Sequence, residues 1–347
     1  MKFKPTVDLH YHLDDMGPRA IKAVSDKHDL PWAGKSLTQI RELSQVEPGS
    51  NWEMWYANHT RVREAVFRKP EVFADVVREA VTDLEEENLD ARILRFSLSM
   101  PMFCYKALHG LKPDFDTPTE KREFLDLLNR TIAYLISGNA DPERTPLVFS
   151  ISCQDVFLPI LDDVVDIALN YSGSIVGTDL TNEPTHKLFG GYKRVISRLR
   201  DGGVKALTIH AGEKGENDGY SSHERIISAL KLEPDTLGHA VYAMDDESVM
   251  LAIAKSGAVV ELCPNSNLSG DFVSTMLGND LTKYPLLTFQ SYGIPCTINS
   301  DTPGSIGSTL AKEFSIVQRI FGLSDDDLRQ LDNVARSTAS RVYKINC

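Results

Sequence analysis

Cysteine is sparse and scattered in this chain. Cys104, Cys153, Cys263, Cys296 and Cys347 form no CxxC pair, and their number is odd. That disfavours a disulfide framework and a thiolate zinc site, and it fits a reducing compartment. No apolar run approaches the roughly 20 residues of a membrane helix. The opening Met1-Lys2-Phe3-Lys4-Pro5 leads straight into a polar strand, with no visible signal-peptide pattern. The expectation is a soluble, cytoplasmic protein that engages no membrane. Clusters of basic residues are also missing: 37 lysines and arginines are dispersed among 49 acidic residues, a formal net charge of −12. A nucleic-acid backbone is therefore disfavoured as a partner, and a neutral or cationic small molecule stays open. There is no internal repeat and no low-complexity segment. The 347 residues admit two domains, but α/β barrels reach this size as one unit, and residues 1–347 are read as one. Composition says nothing about oligomeric state.

What the chain does contain is eight short β-rich runs separated by helical sequence. They are Thr6–His12, Ala91–Ser99, Pro146–Cys153, Ile175–Leu180, Val204–His210, Thr236–His239, Ala258–Cys263 and Pro295–Asp301. Residues 13 to about 90 are long for one connection and read as inserted helices: 18–27, 36–44, 52–67 and 70–88. The segment 100–145 reads as a connection containing one helix, 120–137. Further helices are expected near 158–169, 192–201, 221–230, 246–256, 285–292, 308–321 and 325–343. Alternating strand and helix implies a parallel sheet, and eight units imply a (β/α)8 TIM barrel with additional helices after the first strand.

Barrel enzymes carry their sites at the C-terminal strand ends. His12, His210, His239 and Asp301 all fall there, and His10 shares a strand face with His12. An isolated His-x-His is most often a solvated surface pair. Here the pair ends an apolar alternation and precedes Leu13-Asp14-Asp15, which favours a metal. Three imidazoles and one carboxylate suit Zn²⁺ with room for a water, whose pKa falls to about 7. His239 and Asp301 would orient that water and take its proton. Glu213, three residues past His210, would act as general acid on a ring nitrogen. The set suits hydrolytic removal of an amino group from a heteroaromatic ring. Cys263 reads as a small buried residue rather than a thiolate ligand. His28, His59, His109, His186 and His223 fit no ligand pattern and read as structural or surface. The run Glu85-Glu86-Glu87 reads as a solvated face. Trp52, Trp55 and Tyr56 lie around a helix start, as core aromatics or as an apolar wall over a ligand.

These motifs resemble those of the adenosine deaminase family. Val7-Asp8-Leu9-His10-Tyr11-His12-Leu13-Asp14 is similar to the family's opening metal motif. His210-Ala211-Gly212-Glu213, Leu237-Gly238-His239, Glu261-Leu262-Cys263-Pro264-Asn265-Ser266-Asn267 and Asn299-Ser300-Asp301 follow in the family's order, so the likeness runs from about residue 5 to 343. It implies a (β/α)8 barrel with one Zn²⁺ per chain, converting adenosine and water to inosine and ammonia. Carried over, the metal ligands are His10, His12, His210 and Asp301. Glu213 protonates purine N1, and His239 orients and deprotonates the water. Asp14 bonds the ribose, and the helix around Trp52 and Trp55 is a lid over the sugar. Two positions depart from the family. Thr302 stands where a second aspartate meets purine N7. Asn182, in Asp179-Leu180-Thr181-Asn182, stands where a glycine backbone meets N3. Both touch base recognition, so adenine, a modified adenosine or a pterin are alternative substrates, and a non-catalytic nucleoside-binding protein is the competing class.

Overall fold

A computed structural model describes residues 3–46, 50–182, 189–213, 219–269 and 272–346, the side chain of Trp52 excepted. His186 and Cys347 lie outside the described residues. The eight expected strands all form: β1 Val7–His12, β2 Ala91–Ser97, β3 Leu147–Ser152, β4 Ile175–Thr181, β5 Ala206–Ala211, β6 Thr236–His239, β7 Val259–Leu262 and β8 Cys296–Ile298. They pair in sequence order, each parallel to the next. Closure from β8 back to β1 runs through Asp301: its carbonyl accepts from His12 N at 2.9 Å, and its N–H donates to His10 O at 2.7 Å. The fold is a (β/α)8 TIM barrel. Nearly every strand residue is buried, because helices cover the outside and side chains fill the inside.

Four helices follow β1: Pro18–His28, Leu37–Ser44, Trp52–Val66 and Val72–Glu87. Two expectations in this region need correction. Residues Ser99–His109 form a helix rather than open connection, and β2 stops at Ser97. Met100, Pro101, Met102, Phe103, Cys104 and Tyr105 are all buried, and such an unbroken apolar run has no period to separate helix from strand. Glu87 is not wholly solvated: it accepts from buried Arg92 at 2.6 Å, whereas Glu85 and Glu86 remain exposed.

The closing helices brace the barrel. In Asp325–Tyr343, Asp332 accepts from Thr6 N at 2.8 Å and from Thr6 Oγ1 at 2.7 Å, and Ala335, Ala339 and Tyr343 pack on Val7, Leu9, Ala91 and Ile93. In Leu310–Phe321, fully buried Glu313 accepts from Asn265 N at 2.8 Å and from the Ser308 hydroxyl, anchoring the turn Pro264–Asn267. Burial pushes the Glu313 carboxyl up to about 8. An acid whose folded pKa is raised holds its proton in the native state while the unfolded chain releases it. Its contribution to stability is thus intact below the ordinary glutamate value, 4.5, and is lost as pH rises towards 8. Urea midpoints are expected to fall between pH 5 and pH 8. Glu313→Gln should flatten that dependence by about 1–2 kcal/mol; an unchanged slope would remove Glu313 as its source.

Candidate active site

His10, His12, His210, His239, Glu213 and Asp301 come from four different strand ends, those of β1, β5, β6 and β8, and meet at one mouth of the barrel. His10 Nε2 lies 3.0 Å from His12 Nε2, and His12 Nε2 lies 3.3 Å from His210 Nε2. Asp301 Oδ1 is 3.5 Å from the Nε2 atoms of both His10 and His12. The tautomers follow from the other ring nitrogens. His10 Nδ1 faces Glu261 Oε2 at 3.0 Å, and His210 Nδ1 faces Asp179 Oδ1 at 3.0 Å. Each carboxylate accepts a hydrogen bond from the ring's Nδ1–H, so both Nε2 atoms present lone pairs to the shared centre.

Converging lone pairs repel unless a cation lies between them. A tetrahedral ion with metal–nitrogen bonds of about 2.0–2.1 Å sets its ligand atoms roughly 3.3–3.4 Å apart, close to the spacings here. His10 and His210 also form a close ligand-type group with His239, His10 one with Cys263 and Asp301, and His12 and His210 one with Asp179. Burial, reinforced by the Arg95 charge and the neighbouring imidazoles, holds His10 well below the usual histidine range. Burial likewise lowers His12, and it lowers His239 to about 3, so these rings are neutral as ligands require. Burial also opposes charge on His210, but Asp179 beside it tips the balance upward. The donor set fits a divalent metal. Cys263 is buried, with its thiol pushed well up by burial and directed at Glu261 O at 3.7 Å, so it behaves as a small apolar residue.

The orienting carboxylates share one cation. Fully buried Arg95 donates to Glu261 Oε2 at 2.5 Å, to Leu9 O at 2.9 Å and to Asp179 Oδ2 at 3.3 Å. Sequence reading missed Arg95 altogether. The signal was two arginines, Arg92 and Arg95, within one short strand that reads as buried, where a charge costs too much to be left unpaired. Gly238 has a role of the same kind: a Cβ there would sit 3.3 Å from both His10 Cε1 and His210 Cγ. Three residues of the mouth, Asn182, His239 and Asp301, hold positive φ values of 55°, 65° and 62° although none is glycine. Such backbone cost is concentrated at functional sites.

His239 Nε2 lies 3.7 Å from Glu213 Oε1. Its other nitrogen, Nδ1, is 3.0 Å from Asn267 Nδ2. Asn267 Oδ1 accepts from Cys263 N at 3.3 Å and from the Tyr284 hydroxyl at 2.9 Å, so Asn267 meets the ring with its NH₂ group. Nδ1 is then the acceptor, and the proton of neutral His239 resides on Nε2, facing the cavity.

The cavity is lined by His12, His210, Glu213, His239, Asp301 and Thr302, and also by Asp14, Trp55, His59, Arg63 and Asn182. Thr302 Oγ1 is buried without a hydrogen-bond partner among the described residues. Asn182 Nδ2 donates to Ser152 Oγ at 3.1 Å. Asp14 Oδ2 is already engaged, accepting from Arg63 Nη2 at 2.6 Å, Ser97 Oγ at 2.7 Å and Ser99 Oγ at 3.0 Å. Trp55 is half-buried on the cavity wall rather than in the core, edge-on to His59 at 4.7 Å. The side chain of Trp52 lies outside the described residues. Of the histidines set aside, His59 belongs to the cavity wall, His28 binds Asp75 at 2.7 Å, His109 stacks on Tyr105, and His223 binds Asp245 at 2.7 Å. The four-residue spacing of Trp55, His59 and Arg63 on one helix was the overlooked sign of that wall.

Replacing Glu261 by Gln keeps an amide oxygen but removes the carboxylate charge that faces both His10 and Arg95. Glu261→Gln is expected to weaken metal retention about 10–100-fold in a chelator competition. Wild-type retention would show that this carboxylate does not tune the ligand.

The family model for adenosine deaminase matches residues 153–341. The chain is 24% identical over 328 residues to an adenosine deaminase of Pectobacterium atrosepticum, covering 94% of this chain and 89% of that one. That alignment extends well beyond the family match. Among solved structures, an adenine deaminase from Arthrobacter aurescens superposes with a TM-score of 0.73 at 17% identity, over 96% of this chain and 93% of that one. An N6-methyl-AMP deaminase from Arabidopsis thaliana gives 0.69 at 16% identity, over 96% and 91%. An amidohydrolase from Burkholderia ambifaria, solved with bound zinc, gives 0.70 at 16% identity, over 97% and 85%. The order of the motifs, the barrel that gathers them and the family match over more than half the chain agree: this protein belongs to the adenosine deaminase family.

Proposed function

We propose that residues 1–347 act as one catalytic unit, a zinc-dependent aminohydrolase that converts adenosine and water to inosine and ammonia. The carrying observation is the convergence of three imidazoles and Asp301 on one centre, with Glu213 and His239 in reach on the same cavity. Three nitrogens and one carboxylate favour zinc, and the Burkholderia neighbour was solved with zinc bound. His10, His12, His210 and Asp301 would hold the ion, which supplies Lewis acidity and makes a bound water acidic near neutral pH.

The chain's own groups then divide the proton work. His239, with its proton on Nε2, donates to the water oxygen and fixes its direction of approach. Asp301 accepts a proton from that water as oxygen adds to the amino-bearing ring carbon. Glu213 gives its proton to the adjacent ring nitrogen, so no charge accumulates on the purine. When the carbon–nitrogen bond breaks, the amino group leaves as ammonia with the proton held on Asp301. The hydroxyl proton returns to Glu213 as the carbonyl forms. The buried, unpartnered Thr302 hydroxyl suits purine N7, and Asn182 lies where N3 would be met. Trp55 supplies an apolar cover. Adenine and other aminated rings remain the second reading, because Thr302 and Asn182 depart from the base-recognition residues of the resemblance. Asp14 itself accepts three hydrogen bonds at Oδ2 and keeps Oδ1 without a hydrogen-bond partner among the described residues.

Metal analysis of the purified chain should give about one zinc per chain. Glu213→Gln should keep that zinc and lower kcat about 10²–10⁴-fold, followed by loss of the adenosine ultraviolet band. Wild-type turnover in that variant would remove Glu213 from the chemistry.

A further inference from the structure

The metal-side cavity opens into an outer chamber that shares Trp55, His59, Arg63, Ser99 and Asn182 with it. Among the described residues, Lys112 and Arg63 are the charged residues lining this chamber, and no carboxylate lines it. In a chain with 49 acidic residues and a net charge of −12, a cavity whose described lining carries two cations and no acid is an unusual local inversion.

The two cations are brought together by one ring. Arg63 Cζ lies 5.9 Å and Lys112 Nζ 4.7 Å from the centroid of Phe103. Arg63 spends one nitrogen, Nη2, on Asp14. Its Nε is buried and has no hydrogen-bond partner among the described residues. An arginine that lines both spaces with spare N–H groups is a fork awaiting a planar or tetrahedral oxyanion. Ser99, Ser152 and Gln154 add neutral donors to the same lining.

Direction decides what that anion belongs to. The amino-bearing carbon must face the metal ligands, so the opposite side of the purine, with whatever it carries, points towards Trp55 and the outer chamber. We propose that this chamber seats a phosphate monoester on the substrate, so that the preferred substrate is the purine nucleoside 5′-monophosphate rather than the nucleoside or free base. Arg63 and Lys112 bind the phosphate, while Asp14 holds the Arg63 guanidinium in place. The assignment rests on the deaminase reading above and refines its substrate.

The test uses the zinc-loaded full chain and compares kcat/KM for adenine, adenosine and adenosine 5′-monophosphate. The expected result is a preference of about tenfold or more for the monophosphate, falling with added salt. Lys112→Gln, at an exposed position, should reduce that preference at least about fivefold, chiefly through KM. Equal or better turnover of adenosine or adenine overturns the phosphate assignment and leaves the deaminase reading intact. A monophosphate preference that Lys112→Gln does not change overturns this chamber as the phosphate seat. Should none of the three be deaminated, the deaminase reading fails on these purines, and calorimetry decides the chamber separately. Tighter binding of inosine 5′-monophosphate than of inosine, weakened by Lys112→Gln, upholds the anion site, and equal binding of the two sinks it.

Discussion

A single buried guanidinium ties the site together. Arg95 reaches from β2 to Asp179 on β4 and Glu261 on β7, and those carboxylates in turn fix His210 and His10. A fully buried arginine is costly to desolvate, and among the described residues the two carboxylates and the Leu9 carbonyl compensate it. The same contacts set both histidine tautomers, so the energetic problem of burying a charge and the chemical problem of aiming two lone pairs have one solution. Cation–carboxylate–imidazole order of this kind orients ligands before any ion binds.

Rigidity at the mouth comes from several sources of the same character. Gly238 lets two imidazoles approach where any side chain would intrude. The turn Pro264–Asn267 is anchored by Glu313 and presents Asn267 to His239, which settles where that ring keeps its proton. Positive φ at Asn182, His239 and Asp301 indicates a backbone held against its local preference by the surrounding barrel. The outer wall differs in kind. It is built from one face of the helix Trp52–Val66 and from Lys112, an exposed residue, so the specificity proposed for it would rest on the part of the site least constrained by the sheet. Within one barrel, chemistry and substrate choice are thereby separable.

The sequence by itself determined the number and order of the strands, because apolar β-rich runs alternate with helical ones and four of the strand ends, those of β1, β5, β6 and β8, carry a marker residue. It also pointed to His10, His12, His210 and Asp301, which sit in short local motifs and which the barrel gathers at one mouth. It did not yield the helix Ser99–His109, where an unbroken apolar stretch has no period to read. Nor did it yield Arg95, Arg63, His59 or Lys112, whose roles depend on partners 84 and more residues away, as for Arg95 and Asp179, or on lining a shared cavity. Tertiary structure alone decided which histidine nitrogen faces the centre, which hydroxyl is left without a partner and where positive charge gathers. Those properties arise from distances between segments that only the closing of the barrel brings together.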